Sequence, residues 1–241
     1  MTDATAPTVA LVHGAFADSS GWNDVIRQLR AAGIKVQAVS NPLRGIATDT
    51  AYVASALRQI SGPVLAVGHS YGGAIITNAA AKVDNVVGLV YVAAFAPDEG
   101  EALQEIEGDS KDSVLMTALV QLEYPTGQGS NTAVEFAIDP AKFHDAFAAD
   151  VPEEEASVMA ATQRPVSAFG FVEPNGTPAW KSLPSWAVVA TGDKAAGSDV
   201  VRRMAERAGA TITEVDASHV VMVSHPQAVT DVIRQALDSL G

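Results

Sequence analysis

The chain lacks cysteine and is poor in basic residues, and each shortage excludes a class of function. None of its 241 residues is Cys, so disulfide bonds, thiolate metal sites and cysteine nucleophiles are excluded. Only 15 Lys and Arg residues stand against 28 Asp and Glu residues, which gives a net charge of -13. Because no cluster of cations is available to neutralise phosphate groups, nucleic acid is excluded as a partner.

The chain also has no long hydrophobic run. No apolar stretch approaches the length of a membrane span. The first residues, Met1–Pro7, lack the basic segment that begins a signal peptide. We therefore expect a cytoplasmic protein with no membrane partner.

Strand and helix signals alternate along most of the chain. Apolar runs of strand length occur six times, at Thr8–Val12, Ile34–Val39, Val64–Val67, Val86–Ala94, Trp186–Thr191 and Thr211–Val215. These runs show little polar alternation, which is typical of strands that are buried on both faces. Helical patterns between them predict an α/β fold with a doubly wound, mainly parallel sheet.

The alternation stops between Pro97 and Pro184. Helical pieces are expected there instead, from Ser110 to Leu122, from Asp139-Pro140 to Ala149, and after Val151-Pro152. We predict that residues 1–96 and 185–241 form the α/β core and that residues 97–184 are a helical cap inserted over the active site. The alternative is a set of extra helices that only pack on the sheet.

The segment Gly68-His69-Ser70-Tyr71-Gly72 carries the strongest chemical signal. It lies between an apolar strand signal and a helical one, which is the context of a nucleophile elbow. A serine hydroxyl is a poor nucleophile, so the turn must hold it clear of the sheet and near a base. Side chains at Gly68 and Gly72 would collide across such a turn. The alternative is a glycine-rich turn in which Ser70 is incidental.

A serine nucleophile needs a base, and the base needs an orienting acid. In open α/β sheets the chemistry lies beyond the carboxyl ends of the strands, and Asp193 and His219 follow the last two strand signals. We predict Ser70 as nucleophile, His219 as base and Asp193 as acid. His225, at the start of the last helix, competes for the base, and Asp98, past the fourth strand signal, competes for the acid.

The three remaining histidines have structural interpretations. His13 precedes Gly14 at the end of the first strand signal and is expected to shape that turn. His69 adjoins Ser70, but neighbours on a sharp turn point in different directions, so we expect it to be packed and hydrogen-bonded. His144 lies within a cap helix and is expected to face solvent.

Backbone N–H groups are expected to stabilise the oxyanion of the tetrahedral intermediate. Tyr71 N–H, directly after the nucleophile, is one predicted donor. The second is predicted from the loop after the first strand, where we favour Ala15 N–H over Phe16 N–H. Substrate-pocket candidates are aromatic side chains that could equally belong to the core: Phe16, Trp22, Phe136 and Phe169, with Phe143, Phe147, Met159 and Phe171 as further cap candidates.

Together these residues resemble the α/β-hydrolase superfamily. Its landmarks occur in its order at His13-Gly14-Ala15, Gly68–Gly73, Thr191-Gly192-Asp193 and Ser218-His219. The layout is most similar to small bacterial esterases and to the plant methylesterase and hydroxynitrile lyase group. The resemblance implies hydrolysis of a small ester through an acyl-serine intermediate, with no metal or organic cofactor. The partner it implies is a small-molecule ester, while monomer and homodimer both stay open.

Three other activities remain open on the same residues. They are a lyase, a cofactor-independent perhydrolase and a non-catalytic ligand-binding protein of the same fold. Hydroxynitrile lyases of the resembling group carry a lysine directly after the catalytic histidine, where this chain has Val220. Val220 therefore disfavours lyase chemistry, although Lys194 in the acid loop could supply a charge instead.

Overall fold

A computed structural model describes residues 6–241. These residues form nine strands: β1 (Thr8–Val12), β2 (Val36–Val39), β3 (Val64–His69), β4 (Val86–Val92), β5 (Leu119–Pro125), β6 (Thr132–Ile138), β7 (Val166–Ser167), β8 (Ser185–Ala190) and β9 (Thr211–Val215). They also form eleven α-helices: α1 (Asn23–Ala31), α2 (Ile46–Arg58), α3 (Tyr71–Ala80), α4 (Leu103–Gly108), α5 (Leu115–Ala118), α6 (Pro140–Phe147), α7 (Glu153–Thr162), α8 (Phe169–Val172), α9 (Ser198–Arg207), α10 (Val221–Ser224) and α11 (Pro226–Leu240). Short 3₁₀ helices cover Ser19–Trp22 and Ala179–Lys181.

The main sheet has six strands in the order β2-β1-β3-β4-β8-β9, and each neighbouring pair is parallel. All residues of β3 and β8 are buried, because helices cover both faces of the sheet. Helices α3 and α11 both pack on β3 and β4. The predicted α/β fold with a doubly wound parallel sheet is confirmed, and all six sequence-predicted strands are present.

The chain between β4 and β8 contains more than the helices expected of it. Strands β5, β6 and β7 form a separate antiparallel sheet there, next to helices α4 to α8. The helix expected from Ser110 to Leu122 ends at Ala118, and Leu122 lies in β5. The run Val-Gln-Leu-Glu-Tyr at 120–124 alternates apolar and polar side chains, which is the period of a half-exposed strand. The expectation of a purely helical cap was therefore wrong, although α6 and α7 begin where predicted.

The boundaries of the insert at 97 and 185 stay a prediction.

Within residues 6–241 no helix combines the length and the apolar composition that a membrane crossing requires.

Candidate active site

Ser70 lies on a strained turn between β3 and α3. Its backbone has φ 53° and ψ -125°, a conformation that side-chain-bearing residues rarely adopt. A Cβ added to Gly68 would lie 2.6 Å from the carbonyl oxygen of Gly72, so the turn closes only with glycine at position 68. This geometry lifts the Ser70 side chain off the end of the sheet, as the elbow interpretation predicts.

The strain at Ser70 can be measured as stability. Both Ser70→Gly and Ser70→Ala remove the hydroxyl, but only glycine adopts a positive φ without strain. We expect the glycine variant to be more stable than the alanine variant by about 1 kcal/mol in urea unfolding. An alanine variant at least as stable as the glycine variant would contradict the strained turn.

The loop after β1 is pressed against this turn. A Cβ on Gly72 would lie 2.5 Å from Val12 O, and a Cβ on Gly14 would lie 2.7 Å from Ser70 Cβ. Both contacts are closer than real Cβ atoms allow. Because both glycines lack a side chain, the backbone that follows Gly14 can lie directly beside Ser70.

Asp193 and His219 meet at the carboxyl edge of the same sheet. His219 Nδ1 lies 2.8 Å from Asp193 Oδ2, and both side chains are fully buried. The second carboxylate oxygen, Asp193 Oδ1, accepts hydrogen bonds from the backbone N–H groups of Ala195 and Ala196 at 2.9 and 3.0 Å. A carboxylate is an acceptor only, so His219 carries its proton on Nδ1 and leaves Nε2 free to accept another.

Two rings and one hydrogen bond hold His219 in place. The ring of Phe147 in α6 lies 4.9 Å from the His219 ring, and the His69 ring lies 4.7 Å from it. His69 Nε2 donates to the backbone carbonyl of His219 at 3.0 Å. Burial lowers the pKa of His69 well below its usual value, and His219 lowers it further. His69 is thus a neutral, packed positioning residue, as expected from the sequence.

The two predicted oxyanion donors have free backbone N–H groups. Among residues 6–241, no backbone or side-chain acceptor receives a hydrogen bond from Ala15, Phe16 or Tyr71 N–H. Tyr71 is the first residue of α3, where the helix leaves its N–H groups unsatisfied. Phe16 has φ 58°, so the loop after β1 is also strained. The N–H groups of Ala15 and Phe16 are equally free, so the structure does not choose between them. Ala15 and Tyr71 therefore stay a prediction.

His13 fixes the loop that carries these donors. Its Nδ1 donates to Gly14 O at 2.9 Å, and its Nε2 accepts from Asn41 N–H at 3.0 Å. Arg164, from the insert, also lies 3.3 Å from Nε2 and donates to Asn41 O. Burial lowers the pKa of His13, so the ring is neutral. Its hydrogen bonds to the backbone of Gly14 and Asn41 hold the loop in place. This agrees with the structural role predicted for it.

Asp49 is a buried group that the sequence analysis missed. Its Oδ2 accepts the hydroxyl hydrogen of Tyr71 at 2.8 Å and so orients the residue whose N–H is a predicted oxyanion donor. The backbone N–H of Arg44 donates to both Asp49 oxygens. Burial raises the pKa of Asp49 against the opposing effect of these hydrogen bonds.

Ser70 and His219 line one small internal cavity. Its volume is about 20 Å³, roughly the space of one water molecule. Ala15, Phe16 and Tyr71 line it from the core side. The insert contributes five lining residues: Leu103, Glu107, Leu115, Phe147 and Phe171. An ester is larger than this space.

The four pocket candidates have different outcomes. Phe16 lines the cavity, as predicted. Trp22 is fully buried behind His69, with ring centroids 6.3 Å apart, and is not among the lining residues. Phe136 packs edge-on against Phe171, and Phe169 is 48% exposed. Neither lines the cavity, because the Phe136 ring lies behind Phe171 and the Phe169 side chain is largely in solvent.

The competing acid and bases lie elsewhere. Asp98 forms a partly exposed ion pair with Lys181. His225 lies 3.6 Å from Asp150 at the surface of the molecule, and the half-exposed His144 contacts Val151 O. Lys194 is exposed and is not among the residues that line the cavity. Of the favoured set, Asp193 and His219 contact each other, and Ser70 lines the same cavity as His219, so this set stays the prediction.

Glu107 is the one acidic residue among those that line the cavity, and it was not expected from the sequence. It follows Leu103 by four positions, so both side chains lie on the same face of α4. That spacing was the available signal, because an acid on the apolar face of a short helix is expected to be buried.

In the part of the chain that the structure describes, no three His, Asp or Glu side chains come together as metal ligands.

Comparisons with known proteins place the chain in a family. It matches the Alpha/beta hydrolase family over residues 9–232. A carbendazim-hydrolysing esterase from Nocardioides sp. (strain SG-4G) is 30% identical over 109 residues, which are 40% of this chain and 45% of that protein. The chain thus matches less than half the length of this curated relative.

Solved structures share the fold over nearly the whole chain. Polyneuridine aldehyde esterase superposes with a TM-score of 0.81 at 20% identity, covering 96% of this chain and 99% of that one. A methylesterase from Arabidopsis superposes with a TM-score of 0.79 at 20% identity, covering 97% and 100%. The family match and the shared fold agree. The chain belongs to the α/β-hydrolase family.

Proposed function

We propose that this protein is a serine carboxylesterase that cleaves a small ester through an acyl-serine intermediate. One observation carries the proposal: the buried His219–Asp193 pair and the strained Ser70 lie at the same edge of the sheet, and Ser70 and His219 line the same cavity. The names of the similar proteins, which are esterases, support this choice of substrate.

Acylation starts at Ser70. Nε2 of His219 takes the hydroxyl proton while Oγ attacks the ester carbonyl. The negative charge that develops on the carbonyl oxygen is stabilised by the N–H groups of Ala15 and Tyr71. Asp193 holds the ring in the tautomer that makes Nε2 the acceptor, and stabilises the imidazolium that forms. His219 then returns the proton to the leaving alcohol, and Ser70 keeps the acyl group.

Deacylation uses the same groups with water as the nucleophile. His219 Nε2 removes a proton from the water as it attacks the acyl-serine carbonyl. Collapse of the second tetrahedral intermediate releases the acid and returns the proton to Ser70.

A panel of p-nitrophenyl esters of increasing acyl length tests the proposal. We expect turnover of the acetate and a fall in kcat/KM at the acyl length that the insert no longer accepts. The absence of turnover across the panel, in protein that is folded by circular dichroism, would contradict the esterase proposal.

Lyase chemistry is the second candidate, and Val220 argues against it. A departing cyanide needs a charge or a hydrogen bond beside His219, and a buried anion without a partner is costly. Val220 is fully buried and aliphatic, and Lys194 is exposed. We expect serine-dependent hydrolysis of p-nitrophenyl acetate and no serine-dependent release of benzaldehyde from racemic mandelonitrile.

Ser70→Ala is the blank for both substrates in that comparison. Benzaldehyde and cyanide released by the wild type above this blank, without ester turnover, would replace the esterase proposal by a lyase. A perhydrolase or a binding protein of this fold is favoured by no particular observation.

The insert is proposed to select the acyl or alcohol part of the substrate. Phe171 lines the cavity, whereas Phe169, two residues earlier in the same helix, does not. Phe171→Ala enlarges the cavity, so we expect it to shift the preferred p-nitrophenyl ester toward longer acyl chains by about tenfold in relative kcat/KM. Phe169→Ala is the matched control and should keep the wild-type preference. Equal profiles for both variants would make this part of the insert structural.

A further inference from the structure

Glu107 is a buried acid with an unusual environment. Its side chain is 3% exposed and lines the cavity that Ser70 and His219 also line. Within residues 6–241 no Lys or Arg forms an ion pair with it. A buried carboxylate without a cation is unfavourable, so the neutral acid is favoured in such a place.

The contacts of Ser113 indicate the neutral form. Ser113 Oγ lies 2.7 Å from Ala195 O and 3.1 Å from Glu107 Oε1. The hydroxyl has one proton, and a carbonyl oxygen can only accept. When Ser113 donates along the shorter contact to Ala195, its contact with Glu107 is a hydrogen bond only if the acid donates. Glu107 then carries its proton on Oε1.

Electrostatics point the same way. Burial raises the pKa of Glu107 to about 7, and the nearby charge of Asp193 contributes to the rise. The pKa of a free glutamate is about 4.3, so the folded site favours the proton over most of the acidic range. A second negative charge near Asp193 would be unfavourable, because the cavity offers no cation among the described residues.

One oxygen of Glu107 is left over. Oε2 is buried and has no hydrogen-bond partner among the residues that the structure describes. In the neutral acid this oxygen is a carbonyl-type acceptor. A buried acceptor without a partner is unfavourable, so a ligand that supplies a donor gains from binding beside it.

We propose that Glu107 determines substrate specificity by accepting, at Oε2, a hydrogen bond from an N–H or O–H group of the substrate. The preferred substrates are then small esters whose acyl or alcohol part carries such a donor close to the scissile carbonyl. The surroundings of Glu107 are otherwise apolar, with Leu103, Leu115 and Phe171 lining the same cavity. This inference rests on the proposed esterase function.

The test compares esters that differ only in a methyl group on the donor. Three pairs cover both sides of the ester: methyl glycolate with methyl methoxyacetate, methyl N-acetylglycinate with methyl N-acetylsarcosinate, and ethylene glycol monobutyrate with its methyl ether. We expect wild-type kcat/KM to favour the donor ester of at least one pair by about tenfold. The ratio within a pair is internal to each variant, so partial loss of folded protein cancels.

Three variants separate the roles of Glu107. Gln keeps an acceptor oxygen and an N–H that can donate to Ser113, so Glu107→Gln should retain the preference. Met keeps the approximate length without a carbonyl oxygen, so Glu107→Met should bring the ratio close to one. Glu105→Met, on the exposed side of α4, is the control and should show the wild-type ratio.

The outcomes separate the inference from the function on which it rests. Turnover of p-nitrophenyl acetate, which has no donor group, tests the esterase function alone, and its absence overturns both. With that turnover present, no preference in any pair, or an unchanged preference in Glu107→Met, overturns the role of Glu107. Loss of the preference in Glu107→Gln as well as Glu107→Met overturns the neutral acceptor, because a charged carboxylate would then be required.

Discussion

Replacing Ser70 by alanine should lower kcat for p-nitrophenyl acetate by about 10⁵-fold or more, since removal of a catalytic serine removes the covalent route altogether. The residual rate comes from the oxyanion donors and substrate binding, which the substitution leaves in place. A fluorophosphonate probe should label the wild type at Ser70 and should not label the variant. Initial rates and mass spectrometry of the labelled peptide measure the two effects.

Ser55→Ala is the matched control for this substitution. Ser55 is exposed on α2 and its hydroxyl contacts only Gln59 among the described residues. The control should keep wild-type turnover and labelling. Full esterase activity in Ser70→Ala, or labelling at another serine, would contradict the mechanism.

Replacing Asp193 by asparagine should lower kcat by about 10⁴-fold through the tautomer of His219. The N–H groups of Ala195 and Ala196 hold the oxygen that faces them, so the amide nitrogen of the new side chain would face His219 Nδ1. Nδ1 would then accept a hydrogen bond, and the ring proton would move to Nε2. That atom could no longer accept the proton of Ser70. Steady-state kcat and circular dichroism of the folded variant measure the change.

Asp98→Asn tests the alternative acid. Asp98 pairs with Lys181 at a partly exposed site, and such pairs contribute little, about 0–1 kcal/mol of stability. We expect less than about a twofold change in kcat, because this pair lies away from the cavity. A large loss of kcat in Asp98→Asn together with a small one in Asp193→Asn would assign the acid to Asp98, after strand β4.

The core of the fold and the three predicted catalytic positions follow from local sequence. The six main strands were predictable because each is a short apolar run bounded by glycine, proline or polar residues. Parallel strands end at one edge, so residues directly after strands β3, β8 and β9 must lie near one another. This reasoning brings Ser70, Asp193 and His219 together without any knowledge of the tertiary contacts.

The insert was less predictable. Its elements are short, and a helix of four to six residues shows too little of a period to distinguish it from a strand. Strand β5 is exposed at most positions and β6 is only partly buried over its first half, so their hydrophobic signal is weak. A purely helical cap was expected for that reason, and the antiparallel sheet was missed.

Local sequence predicts the parallel sheet, the turn at Ser70 and the positions of Asp193 and His219 at the carboxyl edge of the sheet. The side chains that enclose these residues could be identified only from the folded chain. Phe147 lies against His219, Trp22 and Phe169 lie elsewhere, and the buried acid Glu107 lines the cavity. Positions at strand ends are set by backbone hydrogen bonding that repeats along the sheet. The lining of the cavity depends instead on how the insert packs across the core, which is set by contacts between residues far apart in the chain.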